Sequence, residues 1–203
     1  MRVLIACEMS GIVRDAFAAL GHDAWSCDLL PTERPGQHLQ RDVLGVLDDG
    51  WDMMVAHPPC TYLCTMGIWW NHKQPERWPL TFAAADFFMR LATANIPRIA
   101  VENPVGKMSV IWRKPDQVVN PWWFGTQANK PTCLWLKGLP CLEPTEVVGK
   151  GEFYTKANGQ RISVWNHKTS GTRKQERASI ASRTFQCIAD AMAQQWLTPP
   201  ELP

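Results

Sequence analysis

Apolar and polar positions along this chain fall into two kinds of run. Short, nearly continuous apolar stretches occur at residues 3–6, 24–27, 53–56 and 99–101, each bounded by polar or turn-forming residues, and they read as buried strands. Between and after them, apolar residues recur at helical spacing. Ile12, Ala16, Phe17 and Leu20 mark a first helix with Gly21 as its stop, and residues 80–94 form a second, with Phe82, Phe87, Leu91 and several alanines on a broad apolar face. Ile180, Phe185, Ile188, Met192 and Trp196 mark one stripe of a terminal helix that ends before Pro199 and Pro200. Residues 132–136 and 142–148 suggest two further strands. The alternation of strand and helix through Val101 predicts a single α/β domain, 1–203, built on a doubly wound, mostly parallel sheet.

The stretches without a period matter as well. Residues 30–40, with Pro31, Pro35 and Gly36, read as a loop. Residues 61–79 hold Gly67, Trp69, Trp70, His72 and Trp78 in a pattern too irregular for a regular element, and a long loop inside a compact domain is usually functional or mobile. Residues 149–177 are polar. With 203 residues and 45% hydrophobic content the chain can bury one substantial core, and its net charge of +2 makes any anion-binding surface a local patch. Seven cysteines at irregular spacing argue for reduced thiols in a cytoplasm. Met1 leads directly into a strand with no signal peptide, and no run approaches membrane-spanning length, so a soluble cytoplasmic protein is expected.

Candidate chemistry gathers at strand ends. The run 53–56 delivers His57-Pro58-Pro59-Cys60, and two prolines stiffen the backbone that displays the thiol, a candidate nucleophile. The run 99–101 ends in Glu102-Asn103-Pro104, so neighbouring strand ends bring an acid toward Cys60. His57 reads as a packing residue or as a group that lowers the thiol's pKa. The turn Cys7-Glu8-Met9-Ser10-Gly11 places backbone N–H groups at a helix start, although it lacks G-x-G-x-x-G, and Asp28 stands where nucleotide-binding folds often hold ribose hydroxyls. Cys60 and Cys64 could serve as metal ligands, but C-x-x-C and H-E-x-x-H patterns are absent and no metal is expected.

Pro58-Pro59-Cys60 and Glu102-Asn103-Pro104 resemble, in order and approximate separation, the Pro-Cys and Glu-Asn-Val signatures of DNA cytosine-5 methyltransferases. The resemblance covers most of the chain, through Gly11 and Arg14 in the first turn, Asp42-Val43 as the Asp-Ile pair, and the region 189–196 as the last motif. It implies the S-adenosylmethionine-dependent, Rossmann-like fold, with S-adenosyl-L-methionine held by Glu8, Ser10, Gly11, Asp28, Asp42 and Pro59. It also implies Cys60 as the thiolate that adds to C6 of cytosine, Glu102 as the carboxyl at N3 with a pKa raised by burial, and Asn103 as the residue that holds the loop. Two departures stand out. The family's Gln-x-Arg-x-Arg is Gln127-Ala128-Asn129-Lys130-Pro131 here, with Lys130 the best substitute, and the recognition region is reduced to about 138–178 before a helix over 179–198 that packs on the donor site. The chain therefore resembles a compact, phage-type member.

The implied partner is DNA, with the target base flipped from a duplex or already single-stranded, and the protein acts as a monomer or weak dimer. Trp69 and Trp70 are expected to close over the base. The basic residues Lys168, Arg173, Lys174 and Arg177 are expected on the phosphate backbone. Two other readings stay open: an amino-methyltransferase that uses the strand ending in Pro-Pro to modify an exocyclic amine, and an inactive DNA-binding or regulatory relative.

Overall fold

The computed structural model describes residues 1–159, 161–164 and 183–197. One seven-stranded sheet organises it: β1 (Arg2–Ala6), β2 (Asp23–Asp28), β3 (His38–Gln40), β4 (Met53–Ala56), β5 (Arg98–Pro104), β6 (Gln117–Val119) and β7 (Thr132–Lys137). Their order in space is β3-β2-β1-β4-β5-β7-β6, with β7 antiparallel to both of its neighbours and the other pairs parallel. Helices α1 (Ile12–Ala19), α2 (Thr65–Asn71), α3 (Trp78–Ala92), α4 (Met108–Ile111) and α5 (Gln186–Gln195) follow in chain order, and β8 (Phe153–Thr155) pairs with β9 (Arg161–Ser163) as a separate hairpin.

Because side chains alternate along a strand, a central strand needs apolar residues in both registers to be covered on both faces. Leu4, Ala6, Met54, Ala56, Ile99 and Val101 pack on one side with Ala85, Phe88 and Leu91 of α3. Val3, Ile5, Met53, Val55 and Ala100 pack on the other with Val13 and Phe17 of α1 and Ile188 and Met192 of α5. The sheet is thus doubly wound. Phe88 is fully buried, and taking such a ring out of water stabilises the fold by roughly 1.5 to 3 kcal/mol.

Several local expectations need correction. The stretch 61–79 is not wholly irregular: the Cys64 sulfur accepts the Gly67 N–H at 3.4 Å and starts α2, and Pro79 sits in the first turn of α3, where a missing N–H costs nothing. Residues 142–148 form no sheet strand. They run beside the 122–125 turn, with Glu146 and Val148 donating to the carbonyls of Trp123 and Trp122. The three-residue edge strand β3 lies in the stretch 30–40 that reads as a loop, and the equally short β6 is not among the strands read from the sequence. The terminal helix starts at Gln186 and packs chiefly against α1 and the sheet, while Trp196 donates to the Pro140 carbonyl at 3.0 Å. Ile180 and the basic residues Lys168, Arg173, Lys174 and Arg177 lie outside the described residues. Among the described residues no helix is long and apolar enough to cross a membrane.

Candidate active site at the carboxyl ends of β1, β4 and β5

Strand register decides what meets at the site. Ala6 pairs with Ala56, and Ala56 pairs with Val101, so the next residues of the three neighbouring strands, Cys7, His57 and Glu102, emerge side by side. The His57 N–H donates to the Ala6 carbonyl at 2.9 Å, and its Nδ1 lies 3.2 Å from Glu102 Oε2. Both side chains are nearly enclosed, at 8% and 12% exposure. Burial pushes the Glu102 carboxyl up, but the hydrogen bond and charge of His57, joined by the charge of Lys130, outweigh it and hold the group below the usual carboxylate range. The raised pKa expected for Glu102 is thereby reversed, and His57 serves the acid instead of the thiol.

Cys60 sits on a loop tied to the end of β5. The buried Asn103 amide donates to the Pro58 carbonyl at 2.8 Å, the Lys107 N–H to the Leu63 carbonyl at 2.7 Å, and the Thr65 hydroxyl to the Val105 carbonyl at 3.2 Å. Gly106 bridges Cys64, and a Cβ there would collide with the Leu63 backbone, so only glycine permits this approach. A hydrogen bond with Cys64, burial, and the charges of Cys64 and Glu102 all push the Cys60 thiol up, far above the ordinary cysteine range. Lys130 donates to the Arg183 carbonyl at 3.1 Å and lies over the Phe185 ring.

Two cavities lie beside these groups. The larger, about 250 Å³, is lined by Asp28, Asp42 and Pro59 with Cys7, Leu29 and Phe87 among others. The smaller, about 60 Å³, is lined by Cys7, Glu8, Met9 and Ser10 with His57, Arg183 and Thr184. Five of the six residues expected around a donor therefore line these two chambers, with Cys7 common to both. Gly11 lines neither. Its φ of +72° puts a would-be Cβ 2.6 Å from the Arg14 guanidinium. Asp42 was expected to be a buried acceptor, but it is exposed to the larger chamber, and its Oδ1 caps a 3-10 turn by accepting the Leu44 N–H at 2.9 Å.

The turn after β1 is built from its own side chains. Glu8 Oε1 accepts the Ser10 hydroxyl at 3.0 Å and the Val13 N–H at 2.8 Å, Glu8 Oε2 accepts the Arg14 N–H at 3.3 Å, and Ser10 Oγ accepts the Ile12 N–H at 3.3 Å. Those are the N–H groups a helix start leaves without intrahelical partners. Cys7 has a φ of 58°, the one left-handed non-glycine among the described residues, and its thiol is pushed up to about 12 by burial with help from Asp28, Cys27 and Asp42. Arg14 is 1% exposed, and its guanidinium meets Asp15, Ser26, Thr32 and the carbonyls of Arg34 and Pro35, which shapes the loop after β2.

The structural roles of Cys7 and Arg14 and the placement of Arg183 and Thr184 escape sequence reading. The signal for His57 is the adjacency of β4 and β5. Trp69 and Trp70 project from α2, roughly half-exposed and edge-to-face at 5.1 Å, with Lys73 5.0 Å over Trp69. Among the described residues no group of three His, Cys, Asp or Glu side chains is placed to hold a metal ion.

No protein-family model matches the chain, and no curated protein matches it. Among solved structures it is similar to an E. coli prophage-encoded protein whose description, given provisionally, is DNA modification methyltransferase. The identity is 13% and the TM-score 0.48, over 73% of this chain and 52% of that one, so this chain spans about half that protein's length.

Proposed function

We propose that the protein is an S-adenosylmethionine-dependent DNA methyltransferase acting at C5 of cytosine. The observation that carries this reading is the Asn103–Pro58 bond, which fixes a cysteine loop to the strand end bearing Glu102. The paired chambers fit the two parts of the donor: the larger has acids at Asp28 and Asp42 for a nucleoside, and the smaller, beside the turn after β1, suits the amino-acid tail. The donor, when bound, supplies an electrophilic methyl group.

C5 of cytosine is a poor nucleophile until a thiolate adds to C6 and pushes an electron pair toward C5. Cys60 makes that bond. In the free protein the thiol holds its proton and Glu102 is ionised, so activation moves one proton off sulfur while the carboxyl side gains the one it shares with N3, and net charge is unchanged. His57 keeps the Glu102 carboxyl aimed, and Lys130 balances its charge. After C5 is methylated, solvent takes the C5 proton, and that bond's electron pair re-forms the C5–C6 double bond as the C6–sulfur bond breaks and the Cys60 thiolate leaves. A stacked duplex hides C6, so the base enters flipped or single-stranded.

Incubation with labelled donor and a panel of duplex DNA, single strands, RNA and free nucleotides, followed by nucleoside mass spectrometry, tests the reading. 5-Methylcytosine that disappears in Cys60→Ser is the expected product. Methyl groups on N4 or N6 favour the amino-methyl alternative, and donor binding without any product in any substrate favours an inactive relative.

A further inference from the structure

The smaller chamber carries a more specific message about what it binds. At about 60 Å³ it is the smaller of the two chambers, against about 250 Å³ beside Asp28 and Asp42, so the bulkier nucleoside is assigned to the larger and the tail to the smaller. A chamber at a helix start ordinarily grips an anion through free N–H groups. Here the N–H groups of Ile12, Val13 and Arg14 already meet Ser10 Oγ and the Glu8 carboxylate, so an incoming anion at that point finds negative charge and occupied donors. The cation in the lining is Arg183, on the opposite end of the chain.

Arg183 is held in position from two sides. Its Nη2 pairs with Glu33 Oε1 at 2.7 Å, and Glu33 is itself anchored by its N–H to the Met9 carbonyl at 2.8 Å, in the same turn that lines the chamber. Its main-chain carbonyl accepts from Lys130. A guanidinium offers five N–H donors, so one contact with Glu33 leaves a face for a second carboxylate. His57 also lines this chamber, with its Nδ1 turned to the Glu102 carboxylate at 3.2 Å.

We propose that Arg183 binds the α-carboxylate of the methyl donor's amino-acid tail, with the nucleoside in the larger chamber and Cys7 at the junction. This rests on the donor-site reading above. The test is calorimetric titration of the protein, wild type and variant, with S-adenosylhomocysteine, which carries the carboxylate, and with 5′-methylthioadenosine, which does not. Arg183→Gln is expected to weaken S-adenosylhomocysteine by about tenfold or more, the loss of a charge-assisted pair, while 5′-methylthioadenosine changes by less than about twofold. Arg183→Lys is expected to recover part of the loss. Retained 5′-methylthioadenosine binding also reports an intact fold. Equal losses for both ligands, or none for either, would overturn the role of Arg183 while leaving the donor site standing. Failure of the wild type to bind either ligand would instead overturn the donor site itself, and the role of Arg183 with it.

Discussion

Replacing Glu8 with alanine tests how the turn after β1 is made. The Glu8 side chain is buried, and its two oxygens accept three hydrogen bonds, of which the Val13 N–H at 2.8 Å is short and the Arg14 N–H at 3.3 Å is long. Hydrogen bonds to a charged group contribute about 1.5 to 3 kcal/mol each, and a buried N–H left unpaired adds a penalty of its own. Counting the short N–H bond fully and the long one at about half, and leaving out the Ser10 hydroxyl because it can rotate to another acceptor, gives a loss of about 3 kcal/mol. For a chain of this length, 1 kcal/mol moves the midpoint of thermal unfolding by about 2 to 4 °C, so Glu8→Ala should lower Tm by about 6 to 12 °C. Ser10→Ala, which removes the 3.3 Å acceptor for Ile12 and one donor to Glu8, should cost about 1 kcal/mol, in the range of a lost cap. Circular dichroism melts of both variants check the order. A Glu8→Ala protein that melts within about 1 °C of wild type would refute the account of the turn.

Two further expectations concern the cysteine loop. The Cys60 thiol is raised by Cys64, burial and Glu102, so less of it is thiolate at neutral pH than in free cysteine; its alkylation by iodoacetamide should be slow at pH 7, climb steadily past pH 9 without a plateau, and be faster in Glu102→Gln, which removes one raising charge. A plateau below pH 8 would sink that view. Gly106→Ala places a methyl group against the Leu63 backbone and should both lower Tm by several degrees and expose Cys60 to faster alkylation, as followed by mass spectrometry; an unchanged melt would show that the two loops do not pack as described.

What could be read in advance depended on how each feature is encoded. The runs at 3–6, 53–56 and 99–101 are apolar in both registers because helices cover both faces, and an unbroken apolar run shows within three or four residues. The edge strands β3 and β6 are three residues long, and no periodicity develops over that length. Segment 142–148 has strand-like residues but spends its backbone groups on Trp122 and Trp123, a choice made by tertiary contact. Cys60, Glu102 and Asn103 were nominated from their strand ends, yet the reversal of the Glu102 pKa was not, because it comes from His57, 45 positions away, through the pairing of β4 with β5. Likewise Glu8 and Ser10 reach the smaller chamber while their oxygens also start α1, and a linear pattern does not tell those duties apart.

The stitching of the Cys60 loop to the segment after β5 has a bearing on motion. Asn103 to Pro58, Thr65 to Val105, Lys107 to Leu63 and the Gly106 approach join two stretches about forty residues apart in the chain. With four links of this kind, releasing one stretch means releasing the other, so they behave as a single cooperative unit of opening. Cys60 and the residues at the end of β5 thus share one clock: slow exchange of the Lys107 amide goes with a settled Cys60, and any movement of the thiol carries the 103–107 segment with it.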